Sequence, residues 1–345
     1  MNNNLKPFEN AYKHKYLVLY ITEKCNLSCP KCYVENKKNV VMSKETADKI
    51  IEYVKKHDET YTNIIFIGGE PTLEPHIMKY IYDALEYNPK RKFTIMTNGT
   101  TNLENIIDIF DWSRVEYNIS FDYRNDKNNW KKFKTAKTVK SLGANVIALI
   151  VNTPEKMHEN LYLMKHIVKY YDKYFGAIIL LKQHKACDFW NESNVVEYSK
   201  ILPDLIHLSA WYHVSRNFSK TMLLPNKPTI QHECLLDSKS GGDAQMCLVC
   251  QDSHDNRCVV VGPDGMHYIC DGAYGEKKYS LGYIWDETEN IYKKEFGYTM
   301  EDGLYEYCFL SKNKTLLSFD RLTEQWRRRY ASILNKLLLL KGNNK

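Results

Sequence analysis

The chain has 345 residues, 43% of them hydrophobic, and 48 basic against 42 acidic side chains leave a formal net charge of +6. That length buries a barrel-sized core with a smaller appendage, and charges of both signs are interspersed, so the composition demands no nucleic-acid partner. No apolar run approaches the ~18 residues of a membrane span, and the start MNNNLKPFEN lacks the apolar core of a signal peptide, so a cytoplasmic protein without membrane contact is expected. Ten cysteines in such a chain point to metal or redox chemistry, because that compartment keeps thiols reduced.

From Tyr16 onward, short β-branched runs alternate with amphipathic stretches. YLVLYI (16–21), NIIFI (63–67), KFTIM (92–96), VEYNISF (115–121), NVIALIV (145–151) and GAIILL (176–181) read as buried strands. Between them, Ala47, Ile50, Ile51 and Val54 recur at helical spacing, with Ser43 placed to cap the start. Leu103, Ile106, Ile107 and Phe110 repeat that spacing, and Leu161, Met164, Val168 and Tyr171 form a similar stripe. About six βα units result, and connections of this kind are right-handed and parallel. Either a barrel-like or an open doubly wound sheet follows, with its chemistry at the carboxyl ends of the strands.

After Lys182 the rhythm breaks. A helical stretch around 195–213, a link containing Pro225 and Pro228, and a cysteine-rich section from Cys234 to Cys308 come next. A last helix, roughly 318–340, carries Leu322, Trp326, Ile333 and Leu337 on one face. The expected division is a core over 1–225, helical beyond about 183, and a cysteine-rich domain with a terminal helix over 226–345.

Directly after the first strand, TEKCNLSCPKCY places Cys25, Cys29 and Cys32 at spacing C-x3-C-x2-C. Structural zinc wants four ligands, and no fourth Cys or His lies nearby in sequence, although a distant residue can complete a zinc loop. A cubane iron–sulfur cluster also usually takes four thiolates, so three leave one iron open. The amino and carboxylate groups of S-adenosylmethionine can chelate that iron, and an electron delivered there breaks the sulfonium to a 5′-deoxyadenosyl radical. In this spacing the sequence resembles the radical SAM superfamily, and in particular its branch with SPASM or Twitch extensions. The resemblance covers about residues 16–185. It implies a partial (β/α)6 barrel of the radical SAM type with a small cysteine-rich C-terminal domain, a [4Fe–4S] cluster, S-adenosylmethionine, and a flavodoxin- or ferredoxin-type electron donor. The family often has an aromatic residue before the last cysteine; here it is Lys31, so Tyr33 is the candidate to stack on the adenine.

GGEPT (68–72) ends the second strand: two glycines permit close backbone approach to a ligand, and Pro71 suits the first turn of a helix. By resemblance, Gly68, Gly69, Glu70 and Pro71 match the motif that holds the methionine amino group. Thr97 and Asn98 follow the third strand, Ser120 and Asp122 close the fourth, Asn152 ends the fifth and Lys182 the sixth. Singly these read as turns and caps; in related enzymes the fourth and fifth strand ends reach the ribose and carboxylate, and Lys182 is a candidate to pair with the carboxylate.

In the last third, CVVVGPDGMHYICDG reads as a hairpin turning at Pro263-Asp264-Gly265. Cys250, Gly265 and Cys270 fit C-x14-G-x4-C, similar to the first half of a SPASM or Twitch domain, but of the usual downstream run only Cys308 remains. One auxiliary iron–sulfur cluster on Cys250, Cys258, Cys270 and Cys308 is expected, with Cys234 and Cys247 as rivals and a zinc knuckle starting at Cys247-x2-Cys250 as the alternative. Asp271, in the string YICD, matches the aspartate that accepts a substrate proton in sulfatase-maturing relatives. The function implied is hydrogen abstraction from a peptide or protein, with a carbohydrate or nucleoside, or another small molecule, as the alternative substrate. A non-catalytic iron–sulfur carrier and a zinc-stabilised nucleic-acid module, the latter prompted by Trp326-Arg327-Arg328-Arg329-Tyr330, are the readings from other classes.

Overall fold

The computed structural model describes residues 15–29, 32, 34, 37–121, 126–182, 191, 193–194, 196–201, 203–204, 208, 223–225, 234–236, 245–247, 258–268, 274–275, 277 and 280–286. In chain order, β1 (Lys15–Thr22), α1 (Lys44–Lys56), β2 (Tyr61–Gly68), α2 (Pro75–Leu85), β3 (Lys92–Thr97) and β4 (Val115–Phe121) come first. Then follow α3 (Asp126–Ser141), β5 (Asn145–Asn152), α4 (Met157–Tyr171) and β6 (Ala177–Lys182). Short strands β7 (Leu223–Pro225), β8 (Cys234–Leu236), β9 (Gln245–Cys247), β10 (Cys258–Val261), β11 (Met266–Tyr268) and β12 (Ser280–Tyr283) close the series.

Ten strands form one open sheet in the order β12-β11-β10-β1-β2-β3-β4-β5-β6-β7. Every pair from β10 through β7 is parallel, and only β11 and β12 run against their neighbours. This is the expected α/β architecture, a partly barrel-like parallel sheet. The strands carry near-continuous apolar runs because side chains on both faces are covered. On the outer face α1 sits on Ala47, Ile50, Ile51 and Val54, and the Ser43 hydroxyl accepts the Thr46 amide at 3.0 Å, as the stripe and cap predict. α2, opened by Pro75, contributes Ile77, Met78, Ile81 and Leu85, and α4 contributes Leu161, Met164 and Val168. Tyr82, Phe93, Phe110 and Trp112 meet edge to face within this layer, an arrangement aromatic rings favour.

The crossover from β3 to β4 departs from the predicted helix. Leu103–Asn105 and Trp112–Arg114 are single 3-10 turns, and no α-helix forms on the Leu103, Ile106, Ile107, Phe110 stripe. Asn102 and Asp111 explain it: their side chains accept the amides of Glu104 and Ser113, and such local bonds outcompete a helix.

The end of the sheet opposite the cysteine loop is locked by two arginines. Arg91 is fully buried and donates to the carbonyls of Leu85 (2.7 Å) and Tyr61 (3.0 Å) and to the Asp58 carboxylate (2.6 Å). Arg114 serves the carbonyls of Glu86, Asn88 and Arg91.

The cysteine-rich section joins the sheet. β10 and β11 turn through Pro263-Asp264-Gly265, where the Gly262 amide bonds the Met266 carbonyl at 2.9 Å, and β10 pairs with β1 from Tyr16↔Cys258 to Leu19↔Val261. Val259, Val261 and Ile284 belong to the same buried cluster as the helices above. β8 and β9 form a separate ribbon that sets Cys234 opposite Cys247 in backbone register. Among the described residues, no helix is long and apolar enough to cross a membrane.

Candidate active site

The loop after β1 is closed at its base by hydrogen bonds. The Thr22 hydroxyl (2.8 Å) and the Glu23 amide (2.9 Å) donate to the Val40 carbonyl, and the Lys38 amide donates to Glu23 Oε2 at 3.0 Å. Cys25 and Cys32 are half-buried and Cys29 is exposed, and none of the three is in a disulfide. Cys32 rests against the inner-face cluster formed by Val18, Tyr20, Val34, Ile65, Tyr268 and Tyr274. Two N–H groups, the Leu27 amide (3.4 Å) and Asn98 Nδ2 (3.8 Å), point at Cys25 Sγ, the kind of donor that lowers the charge on a metal-bound sulfur.

Among the described residues, no three His, Cys, Asp or Glu side chains converge on one metal ion. A cubane cluster takes each thiolate on a different iron, and Cys25, Cys29 and Cys32 lie on one loop after β1.

The glycine pair after β2 lies on that loop. A Cβ on Gly68, whose φ is +146°, would stand 2.2 Å from the Thr22 carbonyl oxygen, and one on Gly69 2.2 Å from that of Lys24. Both glycines are therefore required by the approach of the β1 loop backbone, a tighter constraint than the ligand approach expected from sequence. The amides of Gly69 and Glu70 then bond the carbonyls of Thr22 and Lys24, each at 2.8 Å. Lys24 in turn pairs with Glu74 at 3.0 Å.

Glu70 is the hub of the rim. It is fully buried, and its Oε1 accepts from the hydroxyls of Thr72 (2.6 Å) and Thr97 (2.7 Å) while Oε2 accepts the Asn98 amide at 2.7 Å. Burial raises its carboxyl above the usual range, against the pull of these donors from Thr72, Asn98 and Thr97. Asn98 is thereby fixed with its side chain toward Cys25, bonding Asn26 at 2.8 Å and receiving Thr100 at 2.6 Å. Thr72 also meets the Thr101 hydroxyl.

Further along the rim, Ser120 gives its carbonyl to the buried Lys132 Nζ at 2.6 Å. Asn152 and Lys182 stand in backbone register at the ends of β5 and β6. Asn118, on the face of β4 that carries Ser120, is 4% exposed; its Nδ2 donates to Glu116 and its Oδ1 meets no donor among the described residues. The structure thus brings together Cys25, Gly68, Gly69, Glu70, Pro71, Thr97 and Asn98, with Ser120 at the next strand end. Tyr33, Asp122, Cys250, Cys270, Asp271 and Cys308 lie outside the described residues, and Cys258 is placed by its backbone at the start of β10. Sequence reasoning missed Asn26, Thr72, Thr100 and Lys132. The first three flank recognised motifs, which was the available signal; Lys132 gave none.

Residues 19–159 match the family profile of the Radical SAM superfamily. An uncharacterized protein of Methanocaldococcus jannaschii is 29% identical over 204 residues, covering 55% of this chain and 71% of that one. The radical SAM cyclopropyl synthase TigE of Paramaledivibacter caminithermalis is 25% identical over 145 residues, so the chain spans only 31% of its length. In solved structures, anSMEcpe with bound S-adenosylmethionine and the Cp18Cys peptide superposes with a TM-score of 0.66 at 16% identity, covering 94% of this chain and 99% of that one. At that identity the likeness is one of fold.

Proposed function

We propose that the chain, whose residues 19–159 match the Radical SAM superfamily, uses a [4Fe–4S] cluster and S-adenosylmethionine, cleaves the latter reductively and abstracts hydrogen from a peptide or protein. The observation that carries this reading is the rim itself: three thiols on the loop after β1, held against the Gly68–Pro71 turn through the Glu70 hub. Bound there, cluster and S-adenosylmethionine supply the 5′-deoxyadenosyl radical; the chain's own residues bind and orient.

Cys25, Cys29 and Cys32 each hold one iron. Backbone groups of Gly68, Gly69 and Glu70 receive the methionine amino group, with Pro71 fixing the turn. Thr97 and Asn98 shape the wall beside Cys25. Ser120, Asp122 and Asn152 serve the ribose and carboxylate, and Tyr33 the adenine. Lys182 pairs with the carboxylate in this reading, and Lys132, with its ammonium at the Ser120 carbonyl, is a second cation at that rim. Cys250, Cys258, Cys270 and Cys308 hold an auxiliary iron–sulfur cluster in a region over 226–345, and Asp271 accepts the substrate proton. A flavodoxin- or ferredoxin-type protein of the cytoplasm donates the electron. The fold shared with a peptide-bound relative supports the substrate class.

Anaerobic reconstitution with iron and sulfide, then dithionite and S-adenosylmethionine, tests the chemistry: 5′-deoxyadenosine forms, and Cys25→Ala abolishes it. Substrate class is read by incubating with uniformly deuterated peptide, sugar or nucleoside pools. Deuterium entering 5′-deoxyadenosine from the peptide pool supports the reading, and transfer from another pool alone overturns it.

A further inference from the structure

We propose that Tyr274, in the C-terminal section, is a positioning residue for the three-cysteine loop, clasping it through the Glu23 carboxylate. Tyr274 Oη donates to Glu23 Oε1 at 2.8 Å across 251 residues of sequence. The other oxygen of that carboxylate takes the Lys38 amide at 3.0 Å, so Glu23 joins both arms of the loop and Tyr274 holds Glu23. The phenol ring is as constrained as its hydroxyl. It stacks on Tyr20 of β1 with centroids 3.6 Å apart and planes 5° apart, and Tyr268 meets it edge-on at 5.2 Å. Tyr274 is 4% exposed and Tyr20 fully buried. Cys32 packs against this same aromatic group, so the surface beneath the third thiol is built partly from the C-terminal section.

A phenol in such a place remains a donor. Burial first, and then the bond and charge of Glu23, push its ionisation far above the ordinary tyrosine range. A charge-assisted bond of this kind is among the stronger side-chain interactions, and here it ties Glu23, at the head of the cysteine loop, to the C-terminal section. Nothing local to TEKCNLSC supplies it. The inference rests on the reading of Cys25, Cys29 and Cys32 as ligands, and it adds that their loop is set by a residue outside the βα units.

Tyr274→Phe keeps the stacked ring and removes only the hydroxyl, and Glu23→Gln, alone and combined with it, tests the partner. Hydrogen–deuterium exchange on the full metal-free chain is the first readout. Amides of 23–40 should exchange about tenfold faster in Tyr274→Phe, the factor one lost hydrogen bond to a charged group brings, while those of β2–β5 keep their rates. After reconstitution, iron should pass to ferrozine about tenfold faster for the same reason, and the low-temperature EPR signal of the reduced protein should respond differently to added S-adenosylmethionine. The double variant should be no worse than the worse single one. Unchanged exchange in 23–40, or a rise spread evenly through the sheet, overturns the clasp. An unaltered chain that retains no iron overturns the ligand reading instead, and the exchange data still decide the clasp.

Discussion

Arg91 and Glu70 are both fully buried and stand at opposite ends of the sheet. Arg91 has a counter-charge in Asp58 at 2.6 Å and spends its other donors on backbone carbonyls at the amino-terminal ends of the strands and the end of α2. Glu70 has hydroxyl and amide donors and, among the described residues, no cation. A charge with its opposite beside it is a closed structural unit. A buried carboxyl held by neutral donors organises the loops around it. The difference separates the end of the sheet that holds the fold from the end at which the chemistry is proposed.

The comparison can be broken in several ways. The largest effect belongs to the thiols: Cys29→Ala should leave no 5′-deoxyadenosine above background by chromatography, with the folded state intact by circular dichroism. Glu70→Ala should come next, lowering cleavage about a hundredfold, the loss expected when reacting groups shift by ~1 Å. Arg91→Met should reverse the pattern: about 3 kcal/mol of stability lost by denaturant titration, because buried carbonyls lose their donor, with cleavage per folded molecule unchanged. If Arg91→Met lowered cleavage as far as Glu70→Ala does, the two ends would not be separable.

The smallest effects are in pH. Glu70 carries a raised carboxyl, so between the ordinary glutamate range and its folded value the native state binds more protons than the unfolded one, and stability of the metal-free chain falls as pH rises through that window. Asp58 runs the other way. Burial pulls its carboxyl up, but the bonds from Tyr87, Arg91 and Asn88 and the Arg91 charge outweigh it; its contribution is complete above the ordinary aspartate range and is lost as pH falls through the lowered value. Urea midpoints across pH should show both slopes. Glu70→Gln should flatten the first and Asp58→Asn the second.

Much of the frame could be read in the sequence, because local pattern decides it. The six apolar runs became β1–β6, the Ser43 cap and the α1 stripe stand as predicted, and the hairpin at Pro263-Asp264-Gly265 forms. α3 escaped notice because its described apolar buried residues are Phe133, Ala136 and Val139, beside buried Asn129 and Lys132, in a stretch crowded with lysine and asparagine. The β3–β4 crossover was misread because apolar spacing is blind to Asn102 and Asp111 bonding their own backbone. At the site, the cysteine spacing and the glycine turn are contiguous motifs and so were visible. Thr97 reaches Glu70 from β3 and Tyr274 reaches Glu23 from beyond β11, and contacts between distant segments leave no periodic trace.

The pairing of β10 with β1 has a consequence for biosynthesis. Until the ribosome has released the stretch beyond Cys258, the strand YLVLYI has one bare hydrogen-bonding edge, and slow long-range closure of this kind exposes a chain to self-association. A fragment truncated before that point should precipitate or demand a chaperone even though every βα unit is present.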